Sequence, residues 1–194
     1  MDRILGCGPK DCRFDSCRAH MDPLSHALIG KILSAKKNSK KDIFWVILFS
    51  IIADLPSIPL YFYLGYLNNR FLWIADNSDW NGFRGPHPFL NMLSDIPHSI
   101  FFAFLIILPL ILYFKLPKMA FFAYLLHILI DLLTHKGEWA IKIFYPLNYT
   151  INGFTNAWAW PLLFLIISWL ILLSLAIIFR YYLKRKDALP INPN

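Results

Sequence analysis

The chain has 194 residues, enough for one domain; 57% are hydrophobic and only 16% are charged. A soluble domain averages nearer about a quarter charged, and here the apolar residues come in long blocks, which points to an integral membrane protein. The formal charge of +7 does not indicate nucleic acid, because the basic residues cluster beside apolar segments: Lys36, Lys37, Lys40 and Lys41; Lys115 and Lys118; Arg180, Lys184, Arg185 and Lys186. That is positive-inside patterning, not a basic face on a folded domain.

Residues 1–20 hold all three cysteines, Cys7, Cys12 and Cys17, at no known zinc spacing, and they lack the apolar core of a signal peptide. They read as a disordered tail or a translation-start artefact, with Met21 as the start. Asp22 and Pro23 suit a helix cap and first turn. Residues 23–35 then form an apolar element of roughly 20 Å, short for a full crossing.

Residues 43–67 read as a first span, interrupted where Pro56 and Pro59 follow Asp54. Residues 67–97 read as a polar and aromatic loop. Further spans are expected over 98–114, 119–135 and 161–182, separated by a tight turn at 115–118 and an aromatic-rich loop at 137–160. The expected fold class is therefore all-α: a polytopic helical membrane protein with four clear transmembrane helices plus a short N-terminal membrane-embedded or re-entrant helix. Residues 21–183 form the membrane domain and 184–194 a cytoplasmic basic tail. The Lys/Arg bias puts 36–41, 115–118 and the C-terminus in the cytoplasm, with 68–97 and 136–160 outside.

Inside the span at 119–135, His127, Asp131 and His135 stand four residues apart. On a helix these share one face. Imidazole and carboxylate are divalent-metal ligands, and ionisable groups in an apolar segment are read first as functional. For Asp131, the bland alternative is a neutral buried acid or a lysine partner, and no lysine lies on its helix face within four residues. His127 is its neighbour one turn deeper. His135 lies about 12 Å along the helix from His127, too far for both to bind one ion directly, so it is read as an acid/base or an outer residue. Asp54 sits at the proline break, and broken helices at membrane depth line cavities. His98 opens a span, and His26 stands on the first short helix. His20, His87 and Glu138 read as loop residues.

These residues resemble the YdjM-like family of membrane-bound metal-dependent hydrolases, over residues 21 to about 160. Met21-Asp22-Pro23-Leu24-Ser25-His26-Ala27-Leu28-Ile29-Gly30 looks like the family's M-D-x-x-T/S-H-A-x-x-G. Asp54 is similar to the first aspartate of its P-D-x-D, and His98-Ser99 to its T-H-S. His127, Asp131, Thr134 and His135 resemble its H-x-x-x-D-x-x-T-H/S, and Tyr145-Pro146-Leu147 its Y-P-L/F. The resemblance implies an α-helical membrane protein with a divalent-metal site and hydrolase activity. Two departures remove ligands for a second metal: Pro56 stands in place of the second aspartate, and the arginine and histidine that precede T-H-S are missing. Asp95, three residues before His98, is the nearest substitute.

The expected centre has His26, His98, His127 and Asp131 as metal ligands, and Asp54 (ligand or general base) and His135 (acid) as catalytic residues. Zinc is the first expectation from a His/Asp set, with manganese or iron as alternatives. The expected function is metal-activated attack of water on an ester or phosphoester of a lipid-like substrate, in a bacterial or archaeal cell membrane, with the lipid bilayer as partner. The competing reading is a non-enzymatic membrane protein that binds or carries a metal ion or proton through the same residues.

Overall fold

A computed structural model describes residues 22–37, 39–75, 79–80, 88–157 and 160–188. The tail 1–20, Met21, His87 and residues 189–194 lie outside the described residues. Among the described residues, seven helices of eight residues or more follow in chain order: α1 Pro23–Leu33, α2 Lys40–Ile51, α3 Ile58–Leu67, α4 Pro88–Asp95, α5 Ile100–Tyr113, α6 Lys118–Thr134 and α7 Leu162–Ala188.

Their boundaries follow from local chemistry. Asp22 caps α1 by accepting from Ser25 N–H at 3.0 Å, with Pro23 in the first turn. Ser39 caps α2 and Ser99 caps α5 in the same way. In α5 a π-turn over Ala103–Ile107 directly precedes Pro109, whose ring removes one helical N–H. At the end of α6 the carbonyls of Leu133 and His135 accept from Phe154 and Gly153 N–H, both at 2.8 Å. The loop after α6 therefore completes the cap that the helix cannot supply itself.

The expectation of four transmembrane helices is overturned. Among the described residues one helix, α7, is long and apolar enough to cross a membrane. The run at 43–67 is two helices of 12 and 10 residues, because the turn at 52–57 ends α2 before α3 begins. Even α6, with 17 residues, is about 26 Å long against a hydrocarbon core of ~30 Å. The expected loop at 67–97 also contains α4, an eight-residue helix opened by Pro88. The apolar runs are those of short helices packed on one another: Val46 and Phe49 of α2, Ala103, Ile107 and Ile111 of α5, and Ala120, Ala123, Tyr124 and Ile128 of α6 share one buried core.

Helix α1 lies between α2 and α7. Gly30 allows this: a Cβ there would meet Ser50 Cβ at 2.9 Å and Ile47 Cα at 3.1 Å. Gly30→Ala is expected to push α1 off α2 and to cost about 1–3 kcal/mol in denaturant unfolding. It should also weaken metal binding, because Ser50 orients a site histidine. Unchanged stability would show that α2 yields at that point.

Candidate metal centre

Four elements deliver the site. Helix α6 presents His127 and Asp131 one turn apart, both buried. The turn after α4 presents His98, just before the cap of α5. The break between α2 and α3 presents Asp54. Helix α1 presents His26.

The nearest atoms form a triangle. Asp131 Oδ2 lies 3.1 Å from His98 Nε2 and 3.1 Å from His127 Nε2, and the two Nε2 atoms are 3.2 Å apart. Asp54 Oδ1 stands off at 3.6 Å from His98 Nε2 and 3.7 Å from His127 Nε2. The ligand atoms of Asp54, His98, His127 and Asp131 all lie within 4.8 Å of one another. Ligand atoms of a tetrahedral ion with ~2.0–2.1 Å bonds are about 3.3 Å apart. The triangle has that size, and its two-imidazole, carboxylate donor set suits zinc, with manganese or iron as further candidates.

Ring orientation supports the same conclusion. His98 Nδ1 donates to Ser94 O at 2.7 Å, and His127 Nδ1 donates to Ser50 O at 2.8 Å. A carbonyl only accepts, so each Nδ1 carries a proton and each Nε2 turns inward. Metal-binding histidines are oriented by this kind of outer hydrogen bond. In addition, Tyr124 Oη donates to Pro97 O, bracing the turn that carries His98.

The other expected residues lie around this core. His26 Nε2 is 3.0 Å from Asp131 Oδ1, on the carboxylate oxygen away from the triangle, and its ring lies 3.9 Å from that of His127. His26 Nδ1 is buried without a hydrogen-bond partner among the described residues. His135 ends α6, its Nδ1 2.9 Å from Asp131 O and 3.8 Å from Asp131 Oδ1. All six expected residues are therefore brought to one place, with His26 and His135 outside the four that converge. Glu138 lies in a short 3-10 turn, Gly137–Trp139.

Asp95 is paired away from the centre. Lys142 Nζ holds its Oδ2 at 2.9 Å, while Ser99 Oγ donates to Tyr145 O and Ile100 N–H to Ile143 O, both at 2.8 Å. These bonds seat the Tyr145-Pro146-Leu147 segment against the start of α5. Asp95→Ala is expected to leave metal content unchanged and to cost about 1–2 kcal/mol in unfolding, since Lys142 is partly solvated. Loss of metal in that variant would return Asp95 to the ligand set.

The electrostatics follow from this packing. Burial works against charge on His98, but its bonds to Asp131 and Asp54 outweigh that and lift it to about 10. His26 is raised in the same contest, by Asp131. Burial would raise both carboxylates, yet the histidines hold Asp54 below its usual range and Asp131 well below it. His135 is lowered by burial, which Asp131 offsets only in part.

Beside the centre lies a cavity of about 320 Å³. Asp54, Asp131, Thr134 and His135 are among the residues that line it, together with Ser168, Ile171 and Leu172 of α7. The contribution of α7, and the backbone carbonyls of Ser50 and Ser94, were not foreseen from sequence. A carbonyl leaves no mark in residue identity, and α7 is uniformly apolar.

Compared with known proteins, the chain matches no family model, no curated sequence and no solved structure. A buried His/Asp cluster able to bind a metal ion stands on its own geometry.

Proposed function

We propose that the protein is a membrane-anchored, metal-dependent hydrolase, related to the YdjM-like family that its motifs resemble. The observation that carries this reading is the unequal spacing of the centre. His98, His127 and Asp131 close a tight triangle, while Asp54 stands about half an ångström further off and lines the cavity. Structural zinc sites are closed by four protein ligands, whereas catalytic ones use three and keep a position open.

His98, His127 and Asp131 would hold the ion, which supplies Lewis-acid activation of water near neutral pH. His26 fixes the second oxygen of Asp131 and so its orientation. Asp54, held anionic by its histidine neighbours, takes the proton from the attacking water. His135, neutral at rest and lining the cavity, receives that proton and passes it to the leaving group. The substrate is an ester or phosphoester with a lipid-like apolar part.

Helix α7 supports a single anchor. Its segment Leu163–Lys186 is apolar, mostly unburied, and ends in Arg180, Lys184, Arg185 and Lys186. Positive-inside bias would place that end in the cytoplasm of a bacterial or archaeal cell. Exposed Phe104, Leu105, Leu112 and Tyr113 of α5 add apolar surface that suits contact with the bilayer.

The deciding experiment is metal analysis of the full chain in detergent, paired with hydrolysis of ester and phosphoester substrates with and without a chelator. Asp54→Asn should keep its metal and lose about 100-fold or more in turnover, the range of a general base. Loss of the metal along with turnover would make Asp54 a fourth ligand and the site structural. Chelator-resistant hydrolysis would remove the metal from the reaction.

A further inference from the structure

The cavity lining is mixed: Asp54, Asp131 and His135 contribute polar groups, and Ile29, Ile130, Trp160, Ile171 and Leu172 contribute apolar ones. None of its described lining residues is a lysine or an arginine. Phosphate recognition uses arginine forks, lysines or the free N–H groups of a helix N-terminus. The start of α1 reaches the cavity, but its Ser25 N–H is already given to Asp22 at 3.0 Å. Asp22 is in turn occupied by Ser25 Oγ and by Trp169 Nε1–H at 2.8 Å. The C-terminal end of α6, at Thr134 and His135, also lines the cavity, and it carries the negative end of the helix dipole. A divalent ion at the centre, together with a charged His26, would have its charge matched by Asp22, Asp54 and Asp131, leaving no surplus to attract an anion.

The structure points to an uncharged carboxylic ester with a short apolar chain, and not a phosphoester, as the substrate; we infer this on the hydrolase reading above. The chain lies against Ile171 and Leu172 of α7, and the ester group lies beside Asp54 and His135. At ~30 Å³ per water-sized site, 320 Å³ is about ten such sites, which suits a short acyl chain, roughly four to eight carbons, with its ester group. In the reaction, water adds to the carbonyl carbon and the carbonyl carbon–alkoxy oxygen bond breaks. The alkoxy oxygen takes a proton and leaves as the alcohol, and the acyl group leaves as the carboxylic acid.

The test uses zinc-loaded full chain in detergent with p-nitrophenyl esters of two to twelve carbons, and with p-nitrophenyl phosphate and bis(p-nitrophenyl) phosphate. Binding of methyl hexanoate and hexyl phosphate is followed in parallel by tryptophan quenching, since Trp160 lines the cavity. We expect kcat/KM for the four- to eight-carbon esters to exceed that of either phosphate by about 100-fold or more, the scale of an unmatched like-charge contact. Leu172→Trp should shift the preferred ester to shorter chains and Leu172→Ala to longer ones. Faster phosphoester hydrolysis, or a chain-length profile that neither variant moves, would overturn the assignment. If neither class is turned over, the hydrolase reading fails. The binding arm then decides the ligand class separately: methyl hexanoate ahead of hexyl phosphate keeps it, and the reverse order rejects it.

Discussion

Asp131→Asn is expected to reduce zinc content from about one ion per chain to below about a tenth of that, through a loss of affinity well beyond 100-fold. Changes to residues that merely support a ligand already cost about 10–100-fold, and Asp131 is the member on which the centre turns. Its Oδ2 closes both short edges to His98 and His127, and its Oδ1 takes His26. Asparagine keeps the shape but brings an NH₂ group to one of these two positions, and it removes the charge that would offset a cation. In wild type, added zinc should raise stability by about 2.7 kcal/mol at a hundredfold excess over Kd; the variant should show no such gain. His26→Ala is the informative comparison. It touches only the outer oxygen, so it should lose no more than about 10–100-fold, the cost of a supporting residue. A loss as large as that of Asp131→Asn would place His26 among the ligands. Metal content by mass spectrometry and affinity by competition with a chromophoric chelator read both variants.

Zinc affinity should rise with pH, by about tenfold per unit for each proton displaced, or roughly 100-fold between pH 6 and 8 for the one proton on His98 Nε2. His98 in its carboxylate cage is raised from 6.5 to about 10, so an ion entering over this range must expel that proton. The stability of the chelated protein should run the other way. A raised histidine contributes stability that is complete below 6.5 and is lost as pH climbs towards about 10. Asp54 and Asp131, both lowered, contribute above 3.8 and lose that contribution as pH falls through their folded values. Chelated protein should therefore be most stable between about pH 4 and 6.5, where metal affinity is still climbing. Zinc titrations in weakly buffered indicator dye count the released protons. A flat affinity between pH 6 and 8 would mean that His98 holds no proton to lose.

Residue type and local spacing carried the chemistry of the centre. The four-residue step from His127 to Asp131 places both on one helix face wherever that helix packs, and ionisable side chains in apolar runs single themselves out by their desolvation cost. Asp54 was legible through the prolines beside it, and His98 and His26 through their place at the starts of apolar segments. The number of spans was not legible in the same way. An apolar run of 25 residues reads alike whether it is one kinked helix or two helices joined by a turn. The turn at 52–57 separates α2 from α3; α2 packs on α1 and α6, and the buried side of α3 packs on Ala75, Trp80 and Trp139, which accounts for part of the apolarity that looked like lipid exposure. Helix α4 went unseen because eight residues make too short a periodic pattern.

What the sequence by itself determined is the all-helical class, the apolar C-terminal helix and the set of histidines and aspartates with metal-ligand chemistry, since these depend on composition and on contacts within a turn or two. Only the tertiary structure decided which of those groups meet. It brought His98 and His127 Nε2 to 3.2 Å with Ser94 and Ser50 carbonyls behind them, gave Asp95 to Lys142 and set His26 on the far oxygen of Asp131. It also closed the cavity with α7. Apart from the Ser94 carbonyl, four residues before His98, those outcomes join residues tens of positions apart, and they turn on helix ends and backbone carbonyls that no side-chain pattern records.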